Sequence, residues 1–214
     1  MMLASQCIEN LPAEATCEDF CQSVTASFAA IYESHHYSED YITEHPEERL
    51  TCSAVVYSIH HREIWMIGDC QCLVDGKLYE NPKPMEAANA AKRIAYIREN
   101  RLSESSIREH DEGRDHIIND IIASMHLQNK TFSVIDGTPI YMKGVKHIPT
   151  GDAHEIVLAT DGYPFLHTTL AESEAALQNL IQKDPCCLEI FQATKACMNG
   201  QASFDDRAYL RFNI

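Results

Sequence analysis

The sequence predicts an α+β fold, and three observations carry that prediction. Apolar residues recur at three- and four-residue steps in some blocks. In other, shorter blocks they alternate or run continuously. The strand-like blocks cluster together and do not alternate one by one with helices, which disfavours a doubly wound parallel sheet. Two antiparallel sheets with helices packed outside them account for the order helices, strands, helices, strands, helix, strand. A chain of 214 residues with 45% hydrophobic content can bury one substantial core, so a single domain over residues 1–214 is expected.

The first fifty residues have helical spacing. "MMLASQCIENL" is amphipathic, "PAEAT" breaks it, and from Thr16 onward Phe20, Val24, Phe28 and Ile31 fall mainly on one face. The polar, proline-containing "SEDYITEHPEERL" reads as a connecting loop. The period then changes. "CSAVVYSI" (52–59), "REIWMIGD" (62–69) and "CQCLVDG" (70–76) read as an antiparallel meander whose middle strand, with Trp65, is buried on both faces. Helices follow in "PMEAANAAKRIAYIREN" and "RDHIINDIIASMHLQN", the latter with Ile117, Ile121 and Met125 at four-residue steps. "TFSVIDGTPIYM" reads as strand, turn, strand, and "VKHIPTGDAHEIVLATDG" as a further hairpin. "TLAESEAALQNLIQ" is a helix capped by Thr169, "PCCLEIFQATKACMNG" a shorter helix ending at Asn199–Gly200, and "RAYLRFNI" the last strand.

Composition narrows the function classes. The net charge of -15 argues against a nucleic-acid or anionic-membrane surface, because phosphate binding needs clustered Lys and Arg. No apolar run reaches the ~18 residues of a membrane span. The N-terminal stretch lacks the basic region of a secretory signal. Nine cysteines, an odd number without CxxC spacing, fit a reduced cytoplasmic protein better than a disulfide framework. Cys70 and Cys72 alternate along a strand as core thiols, and neither "GDCQC" nor "PCCLEIF" supplies a phosphate loop followed by Arg.

Two short apolar strands each carry an aspartate at one end: Asp161 follows "EIVLAT" and Asp205 precedes the final strand. Asp161–Gly162, Gly68–Asp69 and Asp136–Gly137 also suit ordinary turns, and Asp205–Asp206 also suits an edge charge. In combination they point to hard-cation chemistry, since Mg²⁺ and Mn²⁺ take one or two carboxylates and retain several waters.

These motifs have a family look. "SAVVYSIHHREIWMIGDCQCLVDGKL", "HEIVLATDGYPFL" and "ASFDDRAYLRF" resemble, in that order, the strand pair, the "ILATDGLWD" strand and the closing "S-x-D-N/D" strand of metal-dependent serine/threonine protein phosphatases of type 2C. The resemblance runs from about Thr51 to Ile214, in outline only over 84–150. It implies a four-layer α-β-β-α sandwich and hydrolysis of phosphoserine or phosphothreonine with Mg²⁺ or Mn²⁺. It implies Asp161 and Asp205 as metal ligands, Asp69 near an additional metal, and supporting roles for Asp206 and Gly162. The family's "DGHGG", whose Asp bridges two metals, does not occur. The chain begins about where that motif should just have ended, so the expectation is an N-terminally truncated domain or one that has lost its bridging ligand. Without that ligand the bridging water is poorly activated, and an impaired phosphatase is expected.

A non-catalytic, phosphatase-derived binding or regulatory module is the alternative. A further one is an N-terminal-nucleophile hydrolase, disfavoured because Met1–Met2 supplies no Thr, Ser or Cys nucleophile. His154 and His167 flank the Asp161 strand as candidate proton donors, and His60–His61 read as solvated turn residues. A phosphorylated protein substrate or a regulatory partner is expected. Unpaired sheet edges left by missing strands predict a homodimer or larger assembly.

Overall fold

The computed structural model describes residues 2–214. Met1, and with it the N-terminal-nucleophile reading, lies outside the described residues. Helices α1 (Met2–Asn10) and α2 (Cys17–Ser34) open the chain. The second starts on a capping box: Thr16 Oγ1 accepts from the Asp19 N–H, and the Asp19 carboxylate accepts from the Thr16 N–H at 2.8 Å. The polar stretch expected to be a loop contains α3 (Glu39–Glu44). Ser38 caps it, Glu39 and Asp40 favour its N-terminal dipole, and Ile42 is its single buried anchor, too little to register as a periodic pattern.

Strands β1 (Ala54–Ser58), β2 (Glu63–Ile67) and β3 (Gln71–Val74) follow. They are not one meander. β2 pairs with β1, but β3 pairs with β4 (Lys77–Glu80) and belongs to the other sheet. The crossing is made at Gly68–Asp69–Cys70. Gly68 has φ +80°, and a side chain there would run into Ser53, so only glycine makes this turn. β4 was not anticipated. Asp75 and Gly76, both at positive φ, form the two-residue turn that folds a largely exposed strand back onto β3.

Helix α4 (Glu86–Glu99) is followed by an unanticipated α5 (Glu104–Glu109), capped by Ser103. The single helix expected over 114–129 is two, α6 (Glu112–His116) and α7 (Ile118–Met125). Asp111 caps the first, and the fully buried Ile117 sits at the break. "TFSVIDGTPIYM" forms no strand pair, only isolated bridges of Ile135 with Cys52 and of Phe132 with Gln128. Asp136 is fully buried there and accepts from Asn129, Thr138 and Arg49, so side chains replace the ladder bonds.

The expected hairpin over 145–162 is two strands of different sheets. β5 (Lys146–Pro149) pairs with β2, while β6 (Glu155–Ala159) lies between β3 and β7 (Tyr209–Asn213). Helix α8 (Leu170–Lys183) has the expected Thr169 cap. Residues 185–200 are not helical. The Asp184 carboxylate accepts from the N–H groups of Leu188, Glu189, Ile190 and Phe191, and the Arg93 guanidinium donates to the Cys186 and Ala193 carbonyls. Those bonds take the place of helical ones.

The result is an α+β protein with two antiparallel sheets, ordered β1-β2-β5 and β4-β3-β6-β7, and about eight helices. Ile64, Met66 and Ile148 from one sheet meet Cys72, Ile156 and Leu158 from the other, so the sheets share a core. Alternation puts Trp65 and Ile67 on the opposite face of β2, packed against Phe20, Val24 and Phe28 of α2. Trp65 is therefore buried as expected, covered by the helices. All nine cysteines are free. No described helix is long and apolar enough to cross a membrane.

Candidate functional site

The aspartates singled out in the sequence meet at one groove. Asp69 enters from the crossing between the sheets, Asp161 from the turn after β6, and Asp205 from the segment before β7. All three line a cavity of about 450 Å³, and Asp161 and Asp205 also line its extension.

Local bonds fix this convergence. Gln71 Nε2 donates to the carbonyls of Thr160 (2.9 Å) and Tyr163 (2.7 Å), holding both ends of the Asp161–Gly162 turn. The Ala208 N–H donates to Thr160 Oγ1 and the Thr160 N–H to the Ala208 carbonyl, lacing the turn to the segment after Asp205. Gly162 lies so close beneath that segment that an added Cβ would collide with the Asp206 carbonyl oxygen and come within 2.8 Å of Arg207 Cβ. The Asp-Gly pair is thus a close approach between two chains as well as a turn. Asp206 does not line this groove: it lines a neighbouring recess with Glu174 and Arg207, which Asp205 and Lys195 also reach.

Three residues not anticipated from the sequence complete the groove: Lys83, Glu86 and Lys195. Lys83 forms an ion pair with Asp69, and Lys195 with Asp205. "NPKP" and "EAANAA" do mark a loop followed by a helix N-terminus. Nothing in the linear order, however, says that Lys195 reaches a carboxylate ten residues on.

The carboxylates differ in state. Asp69 is only 9% exposed, and burial alone would raise its pKa. The Lys83 ammonium and the Ser53 hydroxyl, 2.6 Å from Asp69 Oδ1, outweigh burial and hold it below the usual range. Asp69 Oδ2 is shut off from solvent, and the Lys83 ammonium is its partner. Asp161 is open at the groove mouth yet hemmed in on its inner side. Burial first, then the charges of Asp69, Asp205 and Glu86, push its pKa up to about 7 against the opposing pull of Lys83. Glu86 is raised by burial and the same neighbouring carboxylates, with Lys83 and Lys195 opposing. The Lys83 pKa is raised: burial would lower it, but Asp69, Glu86 and Asp161 prevail.

As a cation site the donor set is incomplete. Among the described residues no three His, Cys, Asp or Glu side chains are gathered as a metal cage, and two of the three aspartates are already engaged by lysines. Asp161 and Asp205 would hold at most one hard ion, weakly. The histidines do not complete the site. Neither His154 nor His167 lines the groove, and His154 precedes β6 at the end away from Asp161, roughly 20 Å off at ~3.3 Å per residue. His60 and His61 sit exposed in the β1–β2 turn. Burial, then Asp69 and Asp161, raise the Cys70 thiol well above its ordinary value, and burial lifts Cys72 to about 12, so neither is a nucleophile.

No protein-family model matches the chain, and no curated protein matches it in sequence.

Proposed function

We propose that the chain is a phosphatase-derived domain of the type 2C kind, a four-layer α-β-β-α sandwich whose power to hydrolyse phosphoserine or phosphothreonine is impaired. The observation that carries this reading is the convergence of Asp69, Asp161 and Asp205 on one groove, from the strand ends at which the three family-like motifs stand. Mg²⁺ or Mn²⁺, when bound, supplies phosphate polarisation and an acidified water; Asp161 and Asp205 are the residues that would hold it. The chain's own residues orient those carboxylates through Gln71, Thr160 and Gly162, while Lys83 and Lys195 neutralise much of the charge on which a cation depends. Nine free thiols suit a cytoplasmic setting.

A second reading, a non-catalytic binding or regulatory module, is favoured by those two ion pairs. Hydrolysis of a simple aryl phosphate with Mn²⁺ separates the readings. Slow turnover that disappears in Asp161→Asn supports the impaired enzyme. No turnover, together with retained binding of a phosphopeptide, supports the module. Robust turnover unaffected by Asp161→Asn defeats both.

A further inference from the structure

We propose that Lys83 and Lys195 are built-in counter-cations of the acidic groove, their ammonium groups standing where a divalent cation would have to bind, so that such a cation enters only by displacing a lysine. The inference rests on the phosphatase-like reading and adds to it a mode of control for the same groove.

Exposed lysines ordinarily lose side-chain freedom when they pair, and surface ion pairs then contribute little. These two stand on fixed backbone. Lys83 lies between Pro82 and Pro84, each locked in φ by its ring. The preceding Asn81 donates through Nδ2 to the carbonyls of Gly68 (2.8 Å) and Gly144 (3.1 Å), tying the loop to the crossing that carries Asp69. Lys195 is held from both sides. The Ala193 carbonyl accepts from Arg93, the Thr194 carbonyl from Arg114, and the Ala196 N–H donates to Asp111. Arg93 is fully buried and paired with Asp111, so the loop bearing Lys195 is anchored in the core.

Asp69, Glu86, Asp161 and Asp205 put four carboxylates around one groove, and Lys83 and Lys195 put two ammonium groups among them. An ammonium is a compact point charge with three donors, the side chain closest in kind to a small hydrated cation. At Asp69 the substitution is most complete: Oδ2 is sealed from solvent, and the Lys83 ammonium is the partner it has. Remove Lys83 and a buried carboxylate is left without its counter-charge, to be neutralised by a proton or by a bound cation. Asp161 forms neither an ion pair nor a hydrogen bond with another described residue, and so remains free to receive that cation.

The test is calorimetric titration of the full chain with MnCl₂, without phosphate, for the wild type, K195M, K195R, K83M/K195M and K83M/K195M/D161N. The wild type and K195R should bind Mn²⁺ weakly. K195M should bind more tightly, and the double variant about tenfold tighter or better, since two competing charges leave. Adding D161N should remove the gain. Equal affinity in the wild type and the lysine variants overturns the proposal, as does a gain that survives D161N. If K83M is too destabilised to fold, K195M against K195R still decides, because the Lys195–Asp205 pair is half-exposed and dispensable to the core. Lysine variants that gain Mn²⁺ but hydrolyse no phosphate uphold this inference and sink the phosphatase reading. A hydrolytic wild type whose lysine variants bind no tighter does the reverse.

Discussion

Replacing Asp161 by Asn removes one charge from a crowded groove while keeping the side chain's shape. The folded state raises this carboxyl from 3.8 to about 7, through burial and then through Asp69, Asp205 and Glu86. The folded protein therefore binds more protons than the unfolded chain between about pH 4 and 7, and stability falls as pH rises through that window. Above pH 7 the penalty is constant, and below pH 4 it vanishes. At 1.36 kcal/mol per unit the unscreened shift would be worth about 4 kcal/mol. Asp161 is open to the groove mouth, however, and solvent screening reduces this to about 1 kcal/mol. Asp161→Asn should thus stabilise the metal-free protein at pH 8 by about 1 kcal/mol, seen as a Tm higher by roughly 2–4 °C for a chain of this size. Thermal unfolding followed by circular dichroism in chelator at pH 8, 6 and 4 checks it. The gain should shrink stepwise with pH and be lost by pH 4. A gain independent of pH, or a loss of stability at pH 8, would refute the account of a carboxylate held against its neighbours.

Gly162→Ala should cost about 1–3 kcal/mol by forcing the 205–207 segment away from the Asp161 turn, read as a lower urea midpoint. Removing one partner of the buried Arg93–Asp111 pair, as in Arg93→Met, should cost about 3–5 kcal/mol and expose the 184–197 loop to proteolysis; protease resistance equal to wild type would contradict its anchoring role. Thr16→Ala removes a capping box and should cost about 1 kcal/mol in chemical denaturation. β1 is an edge strand on which Val55, Val56 and Tyr57 are only half-buried, so self-association through that edge is expected. Light scattering at micromolar concentration should report a dimer or larger, and a monodisperse 24.2 kDa monomer would count against it.

What the sequence determined by itself was local. The periodicity of α2, α4 and α8, the Thr16 and Thr169 caps, the β-rich runs and the aspartates at strand ends are all set by neighbours a few residues apart, and linear order records those neighbours. Where the reading failed, distant side chains had taken over the backbone. Asp184 and Arg93 satisfy the N–H and C=O groups of 185–200 in place of a helix, and Asn129, Thr138 and Arg49 converge on Asp136 where a strand pair was expected. The exchange of β2 and β3 between sheets was invisible for a related reason. An apolar strand pairs equally well with either neighbour, and the choice rests on Gly68 turning against Ser53. The groove divides in the same way. Its aspartates could be named from their strand ends, but Lys83, Glu86 and Lys195 join them only because the folded chain brings charges of opposite sign within reach of one another, and that pairing depends on distance in space.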